Sequence, residues 1–265
     1  MSPLWLTENR VYLRVCHFTK CDHQMGSVAA ESSSGDRLQS LLGAKLIESI
    51  RAIRATVTSS VDDIATIDEA MLALTWCVQE RLSPSERAVL LQPASSGQEP
   101  LHAVVQGAMQ RHRGDAIVQH RALALIAALV EDDDEDNDNL IRRQLVAAPC
   151  AIHVDILTAL QTHKEHADVQ QFGLTALGCL FESASLASPL NTVDVVITAM
   201  QEHAAQPAVL LAATWTLLNI YSKSQAETTS LQQKVTQLVQ SAHDRHPRDS
   251  ILRSNATVLL HLLST

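Results

Sequence analysis

A short phrase recurs at a fixed register along this chain of 265 residues. It reads Met/Leu-Gln-x-His, and its three copies end at His112, His163 and His203. In each copy an aliphatic residue stands four positions before the Met or Leu, and a Val follows the His by six positions. Self-similarity at a fixed register is the signature of a repeat array, in which neighbouring units stack to bury a shared core. Because such arrays serve mostly as binding surfaces, the phrase favours a non-catalytic protein.

The composition indicates that each repeat is helical. Apolar residues make up 46% of the chain but aromatic residues only 3%, so the core has to be built from aliphatic side chains. Gly and Pro number eight each, fewer than the turns of a sheet protein would need. From Leu41 onward apolar residues recur at spacings of three and four, the period of an amphipathic helix. We therefore predict an all-α chain.

Helix starts and stops divide the chain into pairs. A helix is expected from about Asp62 to Arg81, and the segment Ser83-Pro84-Ser85-Glu86 indicates the start of another. The predicted pairs span 101–111 with 116–130, 151–163 with 167–182, 192–203 with 207–222, and 229–242 with 249–263. The turn of the last pair is expected to be about three residues longer than the others.

Two segments differ from the helical repeats. Residues 1–40 lack helical periodicity, so we predict a poorly ordered N-terminal tail before a repeat domain at residues 41–265. Equivalent aliphatic residues lie 51 positions apart from Val105 to Ile156 but 40 apart from Ile156 to Val196. The excess falls on a run of seven acidic residues, so residues 131–139 are predicted to form a loop insertion. Its charges favour a solvated loop; the alternative is a docking site for a basic partner.

The charge distribution argues against nucleic-acid binding. The formal net charge is −9, of which the acidic run supplies seven, so the remainder is nearly neutral and offers no basic field for phosphates. No apolar stretch approaches the ~20 residues of a membrane span, and Glu8 and Arg10 interrupt any N-terminal signal. The five cysteines fit a reducing compartment, with Cys77 and Cys179 inside apolar helix patterns. We predict a cytoplasmic protein without nucleic-acid or membrane contacts, and the nucleus is left open.

The repeats resemble the armadillo family. The resemblance rests on a period near 40 and on two phrases that look like its third helix, at residues 169–180 and 212–220. The Met/Leu-Gln-x-His turn is similar to armadillo repeats of large multidomain kinases with leucine-rich repeats and of unassigned protist proteins. The resemblance covers residues 41–265 and implies an armadillo/HEAT-like right-handed α-solenoid of about four to five repeats. Since Gly173 costs about 1 kcal/mol in helix propensity, we predict that it serves helix packing.

The resemblance also suggests where a partner would bind. Trp215 and Asn219 stand four residues apart on one helix face, like the Trp–Asn pairs with which nuclear-import adaptors hold an extended peptide. The equivalent positions of two other third helices hold Ala, Thr and Cys, so a single pair cannot form a ladder. The alternative is a packed Trp and an Asn that bonds to backbone. The residues predicted to contact a partner on a concave face lined by the third helices are Gln119, Gln170, Trp215 and Asn219.

Metal and catalytic signals are weak. The histidines of the repeated phrase end helices, where imidazole can cap free carbonyl groups, and they should lie about one repeat apart, too far to share a metal. Cys16 and His17 with Cys21 and His23 are zinc ligand types, but their spacing fits no common finger, so an unstructured tail is the preferred interpretation. Phosphate loops and hydrolase motifs are absent from the sequence. We predict no metal, no cofactor and no catalytic residue.

The predicted function is that of a protein–protein interaction scaffold that binds a peptide or a partner helix on its concave surface. The alternative is a regulatory repeat segment related to a larger signalling kinase. An enzyme that uses a buried cysteine is the third class considered. The last helix runs to Leu262 and Leu263 without an obvious polar cap, so its edge is predicted either to mediate self-association or to continue in a longer relative.

Overall fold

The computed structural model describes residues 50, 55–59, 63–92, 99–131, 140–147, 150–183, 189–223 and 229–264. Within these ranges every regular element is an α-helix, which confirms the predicted all-α class. The helices are α1 (Ile64–Arg81), α2 (Pro84–Leu90), α3 (Leu101–Arg111), α4 (Ala116–Glu131), α5 (Leu140–Val146), α6 (Ile152–Thr162), α7 (Ala167–Ser183), α8 (Pro189–Glu202), α9 (Pro207–Tyr221), α10 (Thr229–Arg245) and α11 (Ser250–Ser264). Residues 55–59 are also helical. The predicted tail at residues 1–40 lies outside the described residues.

The helices pack in layers. The long helices α1, α4, α7, α9 and α11 lie side by side in chain order and form the third-helix layer. Helices α3, α6, α8 and α10 form the second-helix layer, and each of them also packs against the third helix that follows it in sequence. The short helices α2 and α5 contact each other as first helices. This is the layered repeat stack expected from the armadillo resemblance.

Polar side chains fix where several helices begin. Ser83 and Glu86 form a capping box at α2: Ser83 Oγ accepts a hydrogen bond from Glu86 N at 3.4 Å, and Glu86 Oε2 accepts from Ser83 N at 2.9 Å. Asp115 Oδ1 accepts from Ile117 N and Val118 N at the start of α4. These contacts satisfy backbone donors that have no partner inside the helix. The helix start predicted at Ser83–Glu86 is confirmed, and Asp115 caps α4 in a similar way.

Each second helix joins its third helix through a four-residue turn. The described turns are residues 112–115, 163–166, 203–206 and 246–249, and in each the fourth residue donates its N–H to the carbonyl of the first, a histidine. The prediction of a longer last turn is therefore wrong, because α10 continues to Arg245. The end of α10 is polar, with Gln240 Nε2 bonded to Asp244 Oδ1 at 3.0 Å. A polar segment of this kind is difficult to distinguish from a loop by its sequence. His246 is thus equivalent to the three histidines of the repeated phrase.

The long interval between two repeats contains a helix as well as the acidic run. Helix α4 ends at Glu131 and α5 occupies Leu140–Val146, whereas only residues 184–188 separate α7 from α8. The predicted insertion at 131–139 therefore explains only part of the excess, and its residues 132–139 lie outside the described residues. Helix α5 went unpredicted because seven residues are too few to show a helical period.

The apolar stripes expected from periodicity form the core. In α1, Ile67, Met71 and Val78 are fully buried, and Cys77 and Cys179 are buried thiols as predicted. Helix α9 is buried almost all around, because it lies between α7 and α11 in the third-helix layer and also packs on α8. Neighbouring repeats thus share one continuous core, which no single repeat could form alone.

Two glycines allow close helix packing. A Cβ atom added at Gly173 would lie 2.7 Å from Leu160 Cδ2, and one added at Gly178 would lie 2.5 Å from Trp215 Cδ1. Both distances are well below van der Waals contact. The packing role predicted for Gly173 is confirmed, and Gly178 has the same role between α7 and α9.

The face of α11 that points away from α9 is polar. In α7 the carbonyl groups of Leu174 and Gly178 face α9 and accept its side-chain hydrogen bonds. At the equivalent positions, counted from the start of the helix, α11 carries Thr257 and His261, and both are exposed. Leu263, at the end of this helix, is buried in the core. Self-association through this edge stays a prediction.

We expect Gly178→Ala to destabilise the protein. Overpacking against the rigid Trp215 ring costs about 1–3 kcal/mol, and the higher helix propensity of alanine offsets about 1 kcal/mol of that. Urea denaturation should show a lower free energy of unfolding. Gly107→Ala is the matched control, since the nearest atom to a Cβ added there is Arg111 Nη1 at 3.8 Å. It should be neutral or stabilising; equal effects of both substitutions would contradict the packing argument.

Candidate binding surface

Two of the predicted partner-binding residues form hydrogen bonds within the fold. Gln119 and Gln170 are each 2% exposed. Gln170 Nε2 donates to Leu160 O at 2.9 Å and to His163 O at 3.0 Å, and Gln119 makes the equivalent bonds at 2.8 and 2.9 Å. These carbonyl groups belong to the end of a second helix, which leaves its last acceptors free. Both glutamines therefore hold a third helix to the turn before it.

The other two predicted residues, Trp215 and Asn219, join α9 to α7. They are 9% and 7% exposed. The Trp215 ring packs on Gly178, and Asn219 Nδ2 donates to Gly178 O at 3.0 Å. The arrangement matches the alternative considered from the sequence, a packed tryptophan and an asparagine bonded to backbone. Partner contact by all four residues stays a prediction, but their side chains are engaged within the fold and not displayed on its surface.

The histidines of the repeated turn connect successive repeats. His163 Nε2 lies 2.8 Å from Arg113 O, and His203 Nε2 lies 2.6 Å from Lys164 O. Each acceptor is the residue directly after the histidine of the preceding turn, so the contacts form a ladder along one edge. The role is structural, as predicted, but the imidazole caps the previous repeat and not its own helix. Both rings are more than nine-tenths buried.

The described residues contain neither a candidate metal site nor a candidate membrane span. They include no cluster of three or more His, Cys, Asp or Glu that could hold a metal ion. The zinc-ligand types at residues 16–23 lie outside them. None of the described helices is both long and apolar enough to cross a membrane.

An exposed apolar pair lies on α1. Leu72 and Trp76 are 49% and 44% exposed and stand four residues apart, so they share one helix face. Counted from the helix N-caps, they occupy the positions that Trp215 and Asn219 occupy in α9. We call these two residues the Leu72–Trp76 patch. The pair was not predicted from the sequence. Both residues lie off the apolar stripe of α1, and two apolar residues four positions apart outside that stripe are the signal that could have identified them.

Two carboxylates, Asp68 and Glu69, precede the patch on α1. Arg121 of α4 forms an ion pair with Asp68 of α1, and both side chains are about a quarter exposed, so the pair adds about 1 kcal/mol or less. Glu69, just before Leu72, is exposed and has no ion-pair partner among the described residues. Glu69 therefore lies within about two helical turns of the partly exposed side chains of Leu72 and Trp76.

The comparison with protein families agrees with this architecture. The family described as LRRK2 ARM repeat matches residues 57–263, which is most of the chain. The chain belongs to this armadillo-repeat family. No curated protein and no solved structure matches it. Armadillo repeats form all-helical scaffolds that are typically non-catalytic, so the exposed surfaces of this armadillo chain are the places to look for its activity.

We expect His163 and His203 to be protonated at Nε2 in their neutral form. A carbonyl oxygen only accepts hydrogen bonds, so the ring nitrogen facing it has to donate. Long-range ¹H–¹⁵N correlation spectra should show this single tautomer for both rings. His112 and His246 are the internal controls, because their buried Nε2 atoms have no hydrogen-bond partner in the described part of the chain. A Nδ1–H tautomer at His163 or His203 would rule out the ladder.

We expect the armadillo domain to lose stability in mild acid. Burial lowers the pKa of His102, His120 and His153 below the ordinary 6.5; for His120, the cation of Arg121 adds to the lowering, while Asp168 and Asp68 oppose it. The unfolded chain then binds more protons than the native one as the pH falls below about 6.5. Their contribution to stability is therefore present above that pH and lost below it.

The measurement is urea denaturation at about pH 7.5 and about pH 5. His120→Gln should reduce the difference between the two free energies of unfolding, because it removes a half-buried imidazole that stacks on Phe172 at 5.0 Å and whose pKa burial lowers. An undiminished pH dependence in this variant would show that His120 does not contribute.

Proposed function

We propose that this armadillo chain is a non-catalytic binding scaffold that holds a peptide or a partner helix on its third-helix layer. The Leu72–Trp76 patch carries the proposal. The other large apolar side chains that are exposed in the described part of the chain, Val89, Ile117 and Val154, stand singly on separate helices. Isolated exposed apolar residues are normal on a protein surface, whereas adjacent ones mark a contact site.

The chemistry of the patch defines the partner segment. Tryptophan is among the residues that dominate binding energy at protein interfaces, because it buries a large apolar area with few rotatable bonds. Leu72 widens that apolar area along the helix. Glu69 adds an unpaired carboxylate, so a segment with an apolar anchor and a nearby basic residue fits best.

The match to the LRRK2 ARM repeat supports a second candidate, a regulatory repeat segment related to a larger signalling kinase. In that case the occupant of the third-helix layer would be a segment of the kinase itself. Both candidates place binding on the same layer, so one experiment addresses both.

Site-specific photo-crosslinking tests the proposal. A photoreactive amino acid replaces Leu72 in one variant and Val154 in the other, which lies on the second-helix layer and is 54% exposed. After irradiation in native lysate, we expect a discrete cross-linked species from position 72 that position 154 does not give. Mass spectrometry of that species identifies the partner and shows whether it is a kinase.

Substitution of the patch then checks the energetics. Trp76→Ala should weaken binding of the identified partner about tenfold or more, as expected for an interface anchor. Val154→Ala should leave it unchanged. Equal cross-linking from both positions, or equal affinity of both alanine variants, would contradict binding at the patch.

A further inference from the structure

The second-helix layer contains a groove at equivalent places in two successive repeats. The earlier groove lies between α3 and α6 over Gln119, and the later one lies between α6 and α8 over Gln170. Their volumes differ widely: about 10 Å³ for the earlier groove and about 350 Å³ for the later one. Two sites with the same construction are thus closed in one repeat and open in the next.

Two differences between the repeats explain why the earlier groove is closed. Gln106 Nε2 and Gln110 Nε2 both donate to the Asp155 carboxylate, at 2.6 and 3.2 Å, and so tie α3 to α6. In the repeat register, the position of Gln106 is taken by Leu157 in α6, and the position of Asp155 is taken by Val195 in α8. Leucine and valine side chains cannot form hydrogen bonds, so Gln161, the equivalent of Gln110, finds no carboxylate at the position of Asp155. The later groove consequently stays open.

The open groove is lined by polar side chains that have no hydrogen-bond or ion-pair partner among the described residues. Gln161, Lys164, Asn191 and Asp194 are exposed, and none of these side chains makes a hydrogen bond or ion pair with another described residue. Gln170 Nε2 is engaged by two carbonyl groups, which leaves its oxygen without a donor among the described residues.

The floor of the groove is apolar. Leu160, Val195 and Ala199 line it and are buried in the core. An ammonium group, a carboxylate and two amide groups therefore surround a small apolar base. Ligand sites of proteins have this character, a concave and partly apolar surface of about 300–1,000 Å³ with a few polar groups that fix orientation.

We propose that the groove between α6 and α8 binds a small zwitterion of amino-acid size. The Lys164 ammonium receives the carboxylate of the ligand, and the Asp194 carboxylate receives its ammonium group. Gln161 and Asn191 supply further donors and acceptors, and the side chain of the ligand lies on the apolar floor. This site is on the second-helix layer, so it is independent of partner binding at the Leu72–Trp76 patch.

Titration of the full chain with the proteinogenic L-amino acids, one at a time, tests the site. ¹H–¹⁵N spectra should show saturable shifts for residues around Lys164 and Asp194 with at least one of them. The N-acetyl and carboxamide derivatives of that amino acid should bind about tenfold more weakly or worse, because each lacks one charge. Absence of shifts around the groove for every amino acid at millimolar concentration would overturn the proposal.

Matched variants assign the charges. Lys164→Gln and Asp194→Asn should each weaken binding about tenfold or more while the spectrum of the fold is retained. Arg113→Gln is the control, because Arg113 lines the equivalent closed groove of the previous repeat. Two outcomes would contradict a site between Lys164 and Asp194. Either all three variants bind as tightly as the unsubstituted protein, or all three lose affinity to the same extent.

Discussion

The stack of repeats depends on how the chain satisfies the carbonyl groups where each second helix ends. These acceptors are buried or partly buried, and an unsatisfied buried acceptor costs about 1–3 kcal/mol. Gln170 covers two of them from its own repeat, and His203 covers the next one along from the following repeat. The same two contacts recur at Gln119 and His163. The Met/Leu-Gln-x-His phrase therefore recurs because successive repeats need the same hydrogen bonds at the end of the second helix.

The requirement also determines which surfaces are free for binding. Glutamines, a tryptophan and an asparagine at regular positions suggest peptide recognition in the sequence, yet Gln170 and Asn219 donate to backbone carbonyls and are buried. Open surface remains where that network is absent or interrupted. Leu72 and Trp76 are exposed on α1, and Val195 replaces the acceptor that closes the preceding groove. Departures from the repeat, and not its shared residues, mark the candidate sites.

Much of the fold was predictable because it follows from local periodicity. The apolar stripe of Ile67, Met71 and Val78 predicted α1 and is buried as expected. Gly173 was correctly assigned to helix packing. Helix α5 and the end of α10 at Arg245 were missed for a local reason: one is too short to show a period and the other ends in a polar helical turn. The exposure of Trp76 and the burial of Trp215 depend on the packing of neighbouring helices, which cannot be read from the local sequence.

The repeat register, the helical class and most core residues follow from the amino-acid sequence, because periodicity is a property of the chain. Which polar residues lie on the surface and which bond within the fold became clear from the packing of the helices. Gln119 and Gln161 look alike as sequence, but one is buried against carbonyl groups and the other lines an open groove. A side chain's exposure and its hydrogen-bond partners depend on which other helix or turn packs against it, and the adjacent residues in the sequence do not specify that contact.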